Sequence, residues 1–232
     1  MKNLLIIDIE TAPITSLKKT MEPFLQLIPD TVKDADQKRS AVLEKAGLCP
    51  VSARIISIGV MQVRNFGTEH QECLTDVFIG KDEKKLLQQF ADLFKLTLGW
   101  WMITFNGRGF DFPFLMFRSA LHGIPLVLPA GLYNGRDNHI DMFVHLNDIG
   151  MLDNLYDKFK WVGLAKWQAY FGMPIKPDVA KDGTLAEWFR KGNYSGIADY
   201  NAKDVEDTFK IFDKFSGNFD LTPTNRSHSG VV

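Results

Sequence analysis

The chain has 232 residues with a formal net charge of −1, and 45% of its residues are hydrophobic. This length suits one sizeable core, and the near-zero charge argues against a nucleic-acid binder that relies on a wide positive surface. Cys49 and Cys73 form no zinc or disulfide pattern, which favours a cytoplasmic location, and we expect neither a signal peptide nor a membrane-spanning stretch.

The first predicted strand, Leu4–Thr11, is a run of Leu and Ile that ends in two acids. Because side chains alternate along a strand, Asp8 and Glu10 point to the same side, about 6.6 Å apart. That separation allows two carboxylates to share a metal ion. The alternative is that the strand ends at Ile7 and the acids are solvated loop residues; this stretch alone does not separate the two readings.

A polar insertion and a hairpin are predicted next. Residues 14–47 form the insertion, with a solvent-facing helix over Val32–Ala46 that starts around Pro29–Thr31. Its basic residues are expected in solvent, with contact to phosphates as the alternative. Arg54–Val63 and Glu72–Ile79 read as the two strands of a hairpin.

The rest of the chain alternates between helices and short strands. Lys81–Gly99 contains an amphipathic helix, and the strand Trp101–Phe105 follows. A buried helix comes next, with an apolar repeat at Phe110, Phe114, Phe117 and Leu121. His139–Met142 is a short strand, and Leu164–Phe171 is a helix.

Ser195–Phe215 is the last predicted helix. Its apolar stripe at roughly 100° per residue comprises Ala198, Ala202, Val205, Phe209 and Phe212. The order of elements predicts an α/β fold, with a mixed five-stranded sheet and flanking helices, as a single domain over residues 1–215. Strands joined through helices should be parallel, and the hairpin should be antiparallel. Residues 216–232 are polar and small and are expected to form a flexible tail.

Two further acidic motifs lie at places where a ligand could bind. Asp111 by itself reads as a helix N-cap. However, Asn106–Asp111 places an amide, a basic side chain and an acid at the C-terminal end of a parallel strand, where ligands commonly bind. Tyr200 and Asp204 are four residues apart and share one face of the last helix. Acids are frequent on this helix, so Asp204 alone is weak evidence.

Together these motifs resemble the DnaQ-like, or DEDD, 3′–5′ exonuclease superfamily, which has the RNase H-like fold. The first motif is Asp8-Ile9-Glu10-Thr11, the second is the Asn-x-x-x-Phe-Asp stretch Asn106–Asp111, and the third is the Tyr-x-x-x-Asp stretch Tyr200–Asp204. A sister subgroup has histidine five residues before the last Asp, where this chain has Asp199, so the chain resembles the tyrosine (DEDDy) type. The most similar subgroup is that of stand-alone bacterial exonucleases related to the proofreading domain of family B DNA polymerases.

The resemblance implies a two-metal-ion hydrolase that shortens single-stranded DNA from its 3′ end. Two divalent cations, Mg²⁺ or Mn²⁺, would be held by four acids and would stabilise the charge that develops on the phosphoryl oxygens. The implied metal ligands are Asp8, Glu10, Asp111 and Asp204. Tyr200 would complete the catalytic set by orienting the attacking water.

The implied contacts to the terminal nucleotide are Thr11, Asn106 and Phe110. Many relatives carry Ser or Thr before a Leu ahead of the penultimate helix, where this chain has Gly163-Leu164, so no substrate contact is carried over there. Alternatives are the same chemistry on RNA, a catalytically silent nucleic-acid-binding module on the same fold, and a purely structural role. Proofreading would need a separate polymerase, which makes a replication or repair protein a candidate partner.

Overall fold

The computed structural model describes residues 2–14, 34–126, 138–147, 162–175 and 184–218. Five strands form one mixed sheet in the order β3-β2-β1-β4-β5. The strands are β1 Leu4–Pro13, β2 Ala53–Arg64, β3 Glu72–Ile79, β4 Trp101–Thr104 and β5 His139–Asp141. The helices are α1 Ala35–Gly47, α2 Glu83–Leu96, α3 Asp111–His122, α4 Met142–Asn147, α5 Leu164–Tyr170, α6 Leu185–Lys191 and α7 Tyr194–Phe215.

The predicted mixed sheet is confirmed. β2 and β3 pair antiparallel as the expected hairpin, and β4 pairs parallel with β1 and with β5. The prediction was wrong for β1 and β2, which are joined through a helix and nevertheless pair antiparallel. Pro13 lies opposite Ala53, and the N–H of Ile14 donates to the carbonyl of Ser52 at 2.8 Å. The insertion therefore leaves and re-enters the sheet at the same end, as a long hairpin loop does.

Helix α1 begins later than expected. Its N-cap is Asp34, whose carboxylate accepts a hydrogen bond from the N–H of Gln37 at 2.8 Å and satisfies one of the free donors of the first turn. The start predicted at residues 29–31 lies outside the described residues. The predicted tail lies outside them too from residue 219 onward, and Ser216–Asn218 form a 3₁₀ turn.

The sheet is covered on both faces, and β1 contributes to both cores. Leu5, Ile7 and Ile9 pack with side chains of α2 and α3. Leu4 and Ile6 pack on the opposite face, where α7 covers the sheet. Each such fully buried side chain stabilises the fold by about 1.5–3 kcal/mol. The α7 face of β1 is thus apolar first and becomes acidic at Asp8 and Glu10.

Two predicted apolar stripes are partly wrong. In α3, Phe114 is buried, but Phe117 and Leu121 are 61% and 67% exposed. The buried side of the helix includes Arg118, because its guanidinium pairs with the buried carboxylate of Glu83 on α2 at 2.5 Å. A pattern of hydrophobicity alone does not place an arginine in a core.

In α7, Val205 and Phe212 are buried as expected, whereas the other three members of the predicted stripe are only half-buried. These are Ala198, Ala202 and Phe209. The buried side of the helix includes Ile197, the polar Asn201, and Ile211. Over the described part of the chain, no helix combines the length and the apolar character needed to cross a membrane.

Candidate active site

Three of the four predicted metal ligands converge where β1 meets α7. Asp8, Glu10 and Asp204 each offer one carboxylate oxygen, and these oxygens all lie within 4.8 Å of one another. The two strand acids point the same way because they are two residues apart, and α7 brings Asp204 against that face. Half-buried carboxylates this close repel one another unless a cation offsets their charge. Hard oxygen donors at this spacing fit Mg²⁺ or Mn²⁺.

Asp111 lies beside this cluster but is held differently. It is the first residue of α3 rather than its cap, which is Phe110. Its side chain is buried, and Oδ1 accepts a hydrogen bond from the main-chain N–H of Ile9 at 2.9 Å. Burial raises the pKa of Asp111 from 3.8 to about 7; the negative charges of Asp141 and Asp204 also raise it, against the lowering effect of the Ile9 bond.

Tyr200 lies one helical turn before Asp204 on α7, and both side chains are half-buried. Residues four apart on a helix share a face. The tyrosine therefore lies on the same face of α7 as Asp204, and its part in the site stays a prediction.

The structure gives a hydrogen bond, a backbone conformation or a ring contact for each of the three residues predicted to contact substrate. The Thr11 hydroxyl donates to the carbonyl of Gly47 at 2.7 Å and so ties the end of β1 to α1. Asn106 has a φ of +66°, a left-handed conformation that asparagine tolerates better than most residues. The half-buried Phe110 ring packs on Phe114 with centroids 4.9 Å apart.

Asp141 is a site residue that the sequence reading placed only in a strand. It is fully buried at the end of β5. Its carboxylate accepts three main-chain N–H bonds, from Asn106 at 2.8 Å, Arg108 at 2.9 Å and Phe143 at 3.1 Å. It thereby anchors the loop between β4 and α3. The sequence could have indicated this residue, because it is an acid at the C-terminal end of a predicted parallel strand.

Asn201 is a second residue that the sequence reading passed over. It follows Tyr200 in the third motif, is fully buried, and donates from Nδ2 to Oδ2 of Asp8 at 2.6 Å. The hydroxyl of Ser57 donates to its Oδ1 at 2.6 Å. The sequence offered one indication of its role. Asn201 is a polar residue four positions before Val205, on the side of α7 that faces the sheet.

The fold is consistent with the DnaQ-like class of nucleases that the sequence motifs indicated. The chain belongs to the family described as "Predicted 3′-5′ exonuclease related to the exonuclease domain of PolB", which matches residues 48–229. That span includes Asp111, Tyr200 and Asp204, whereas Asp8 and Glu10 precede it. A nuclease of this kind implies a nucleic-acid substrate.

A solved structure supports the fold. The chain is similar to the family B DNA polymerase from the hyperthermophilic archaeon Pyrobaculum calidifontis, with a TM-score of 0.57 and 18% identity. The match covers 93% of this chain and 25% of the polymerase, so the chain spans about a quarter of that protein's length. No curated protein matches the chain.

Proposed function

We propose that the protein is a metal-dependent exonuclease that removes nucleotides from the 3′ end of single-stranded DNA. The observation that carries the proposal is the convergence of Asp8, Glu10 and Asp204, with carboxylate oxygens within 4.8 Å of one another. Membership of a family of predicted 3′–5′ exonucleases supports the reaction class. The nuclease domain would comprise residues 1–215, and a replication or repair protein would be its partner.

The four acids have distinct roles in this proposal. Asp8, Glu10 and Asp204 would hold one divalent cation, and Asp8 with Asp111 would hold a second. When bound, a pair of such cations lowers the pKa of the attacking water and stabilises charge on the attacking and leaving oxygens. Carboxylates suit both Mg²⁺ and Mn²⁺.

The remaining residues would bind and orient the reactants. Tyr200 would orient the attacking water by a hydrogen bond. Asn106, whose main-chain N–H donates to Asp141, and Phe110, whose ring packs on Phe114, would position the terminal nucleotide. The Thr11 hydroxyl donates to Gly47, and its lone pairs remain able to accept a hydrogen bond from a nucleotide hydroxyl.

The test is digestion of a 5′-labelled single-stranded DNA oligomer, beside a matched RNA, with Mg²⁺, Mn²⁺ or EDTA. Asp8→Asn and Asp204→Asn remove metal-binding charge, and Asp213→Asn is the control because Asp213 is exposed on the same helix. We expect a ladder that shortens from the 3′ end, is absent in EDTA, and is at least about 100-fold slower in both site variants.

Other outcomes would change the assignment. Wild-type rates in either site variant would contradict the carboxylate site. Shortening of the RNA alone would make the protein an exoribonuclease. Binding of the oligomer without any cleavage in Mn²⁺ would indicate a silent nucleic-acid-binding module.

A further inference from the structure

We infer that Asn201 is a positioning residue for the metal-binding carboxylate of Asp8, acting through a hydrogen-bonded relay from Ser57 to Asn201 to Asp8. The inference rests on the proposed function, because it assigns a role toward the same cation. It adds two residues, on β2 and α7, to the acids and tyrosine of the three motifs.

The chemistry of the groups fixes the direction of the relay. A carboxylate only accepts hydrogen bonds, so the NH₂ group of Asn201 must face Oδ2 of Asp8, where Nδ2 lies at 2.6 Å. The amide oxygen then faces Ser57, whose hydroxyl must donate, and this distance is also 2.6 Å. Ser57 and Asn201 are both fully buried, which shields these bonds from competing water.

The backbone of β2 is shaped to admit this amide. Gly59 lies opposite Asp8 in the β1–β2 ladder, and Ser57 lies opposite Glu10. A Cβ atom at Gly59 would lie 2.9 Å from the side-chain carbon and nitrogen of the Asn201 amide. The missing side chain at Gly59 therefore provides the space that Asn201 occupies.

The position of Asn201 is otherwise one for an apolar residue. It lies between Ile197 and Val205 on the buried side of α7, and burying an unpaired amide there would cost about 1–3 kcal/mol. The bond to Asp8 limits rotation of the carboxylate and holds one of its oxygens. Partners of this kind, one bond removed from a metal, typically change metal affinity or activity by about 10–100-fold.

The alternative is that Asn201 only holds α7 against the sheet, and the test must separate the two roles. Asn201→Leu removes the amide at similar volume. The double variant Ser57→Ala with Asn201→Leu also removes the hydroxyl that would be left unpaired, so its stability should be close to that of the wild type. Gly59→Ala keeps both polar residues but forces the Asn201 side chain to move.

A matched control is available at another buried amide. Gln168 on α5 donates from Nε2 to Oδ2 of Asp207 on α7 at 2.6 Å, also in the core. Gln168→Leu breaks an equally short bond to an Asp that is outside the carboxylate cluster. It should lower stability and leave metal affinity unchanged.

The measurement is calorimetric titration of the full chain with Mn²⁺, with urea unfolding for each protein. We expect Mn²⁺ binding about 10–100-fold weaker in both Asn201 variants and weakened in Gly59→Ala, but unchanged in Gln168→Leu. The Mn²⁺ concentration for half-maximal nuclease activity should rise by a similar factor, and excess Mn²⁺ should restore most of the rate.

The proposed function and the inference fail in different ways. A wild-type protein that binds no Mn²⁺, or an Asp8→Asn variant that binds as well as wild type, would overturn the metal site itself. If Asp8→Asn loses binding while the Asn201 and Gly59 variants bind Mn²⁺ with wild-type affinity, the metal site stands and the relay is wrong.

Discussion

The main-chain N–H of Ile9 donates a 2.9 Å hydrogen bond to the side chain of Asp111. Residues Leu4–Ile6 of β1 pair with β4, and β1 continues beyond that ladder. Ile9 lies beyond that ladder. Its N–H therefore donates to the Asp111 carboxylate instead of to a main-chain carbonyl of β4. The bond connects the start of α3 to the strand that carries both acids, independently of any cation.

This bond leads to a pH-dependent stability. Because burial raises the pKa of Asp111 to about 7, the native protein binds a proton more tightly than the unfolded chain. In EDTA, the free energy of unfolding should fall as pH rises from about 4 to about 7 and then level off. At about 1.4 kcal/mol per pH unit, this contribution is at most about 4 kcal/mol.

The check is urea unfolding at about pH 5 and about pH 8 in EDTA, for the wild type and Asp111→Asn. The variant keeps an oxygen for the Ile9 bond and cannot ionise, so its stability should decline less over this range. The same decline in both proteins would show that Asp111 ionises normally.

Asp141→Asn should loosen the loop between β4 and α3. In the wild type, main-chain N–H groups donate to both oxygens of Asp141. The amide of the variant keeps one acceptor oxygen but replaces the other with an NH₂ group, which cannot accept. Loss of one such bond to a charged acceptor costs about 2 kcal/mol. Urea unfolding measures this loss, and hydrogen exchange at the N–H groups of Asn106 and Arg108 should accelerate. Unchanged exchange at both groups would show that Asp141 does not anchor the loop.

Glu83→Gln should destabilise the fold without touching the carboxylate cluster of Asp8, Glu10 and Asp204. Buried Glu83 accepts from Arg118 at 2.8 and 2.5 Å, pairs with His122 at 2.9 Å, and accepts from the N–H of Ile55 at 2.7 Å. Its burial raises the pKa, but these bonds outweigh burial and lower it below 4.5. Breaking a buried ion pair of this kind costs about 3–5 kcal/mol.

The pH dependence distinguishes this ion pair from a general packing defect. A lowered pKa contributes stability above 4.5, and this contribution disappears as pH falls through the folded-state value. The deficit of Glu83→Gln in urea unfolding should therefore be full at neutral pH and shrink below about pH 4.5. Glu69→Gln, at an exposed position, is the control; a deficit that does not change with pH would argue against the ionised network.

Tyr200→Phe should slow cleavage without abolishing it. The phenol would orient the attacking water, while the carboxylates that hold the cations remain in place. Loss of one positioning hydrogen bond corresponds to roughly 10–100-fold in rate, against at least about 100-fold for Asp8→Asn. Single-turnover digestion at saturating Mn²⁺ measures the difference. An unchanged rate would remove Tyr200 from the mechanism.

Much of the fold, and the grouping of Asp8 with Glu10, was predictable from local patterns. Alternation along β1 correctly placed Asp8 and Glu10 on one side, and helical spacing placed Tyr200 beside Asp204. Side chains return to the same face every two residues in a strand and about every four residues in a helix, so both features can be read from the sequence. The second motif predicted the strand-to-helix transition that carries Asp111.

The errors arise where burial depends on a distant partner. Arg118 is buried because Glu83, 35 residues earlier, neutralises it. The side of α3 that faces the core therefore differs from the predicted apolar stripe. Asn201 is buried because Ser57, 144 residues away, bonds its amide. The direction of β2 depended on where a long insertion re-enters the sheet, which no local pattern records.

The bond between Asn201 and Asp8 joins positions 193 residues apart. Forming a contact across so long a stretch of chain costs loop-closure entropy, which slows its formation. The three converging carboxylates come from the first strand and the last long helix, so they exist as a group only after that helix has docked. A ribosome-bound or truncated chain that lacks α7 would therefore lack the group of three carboxylates on which the proposed nuclease activity depends.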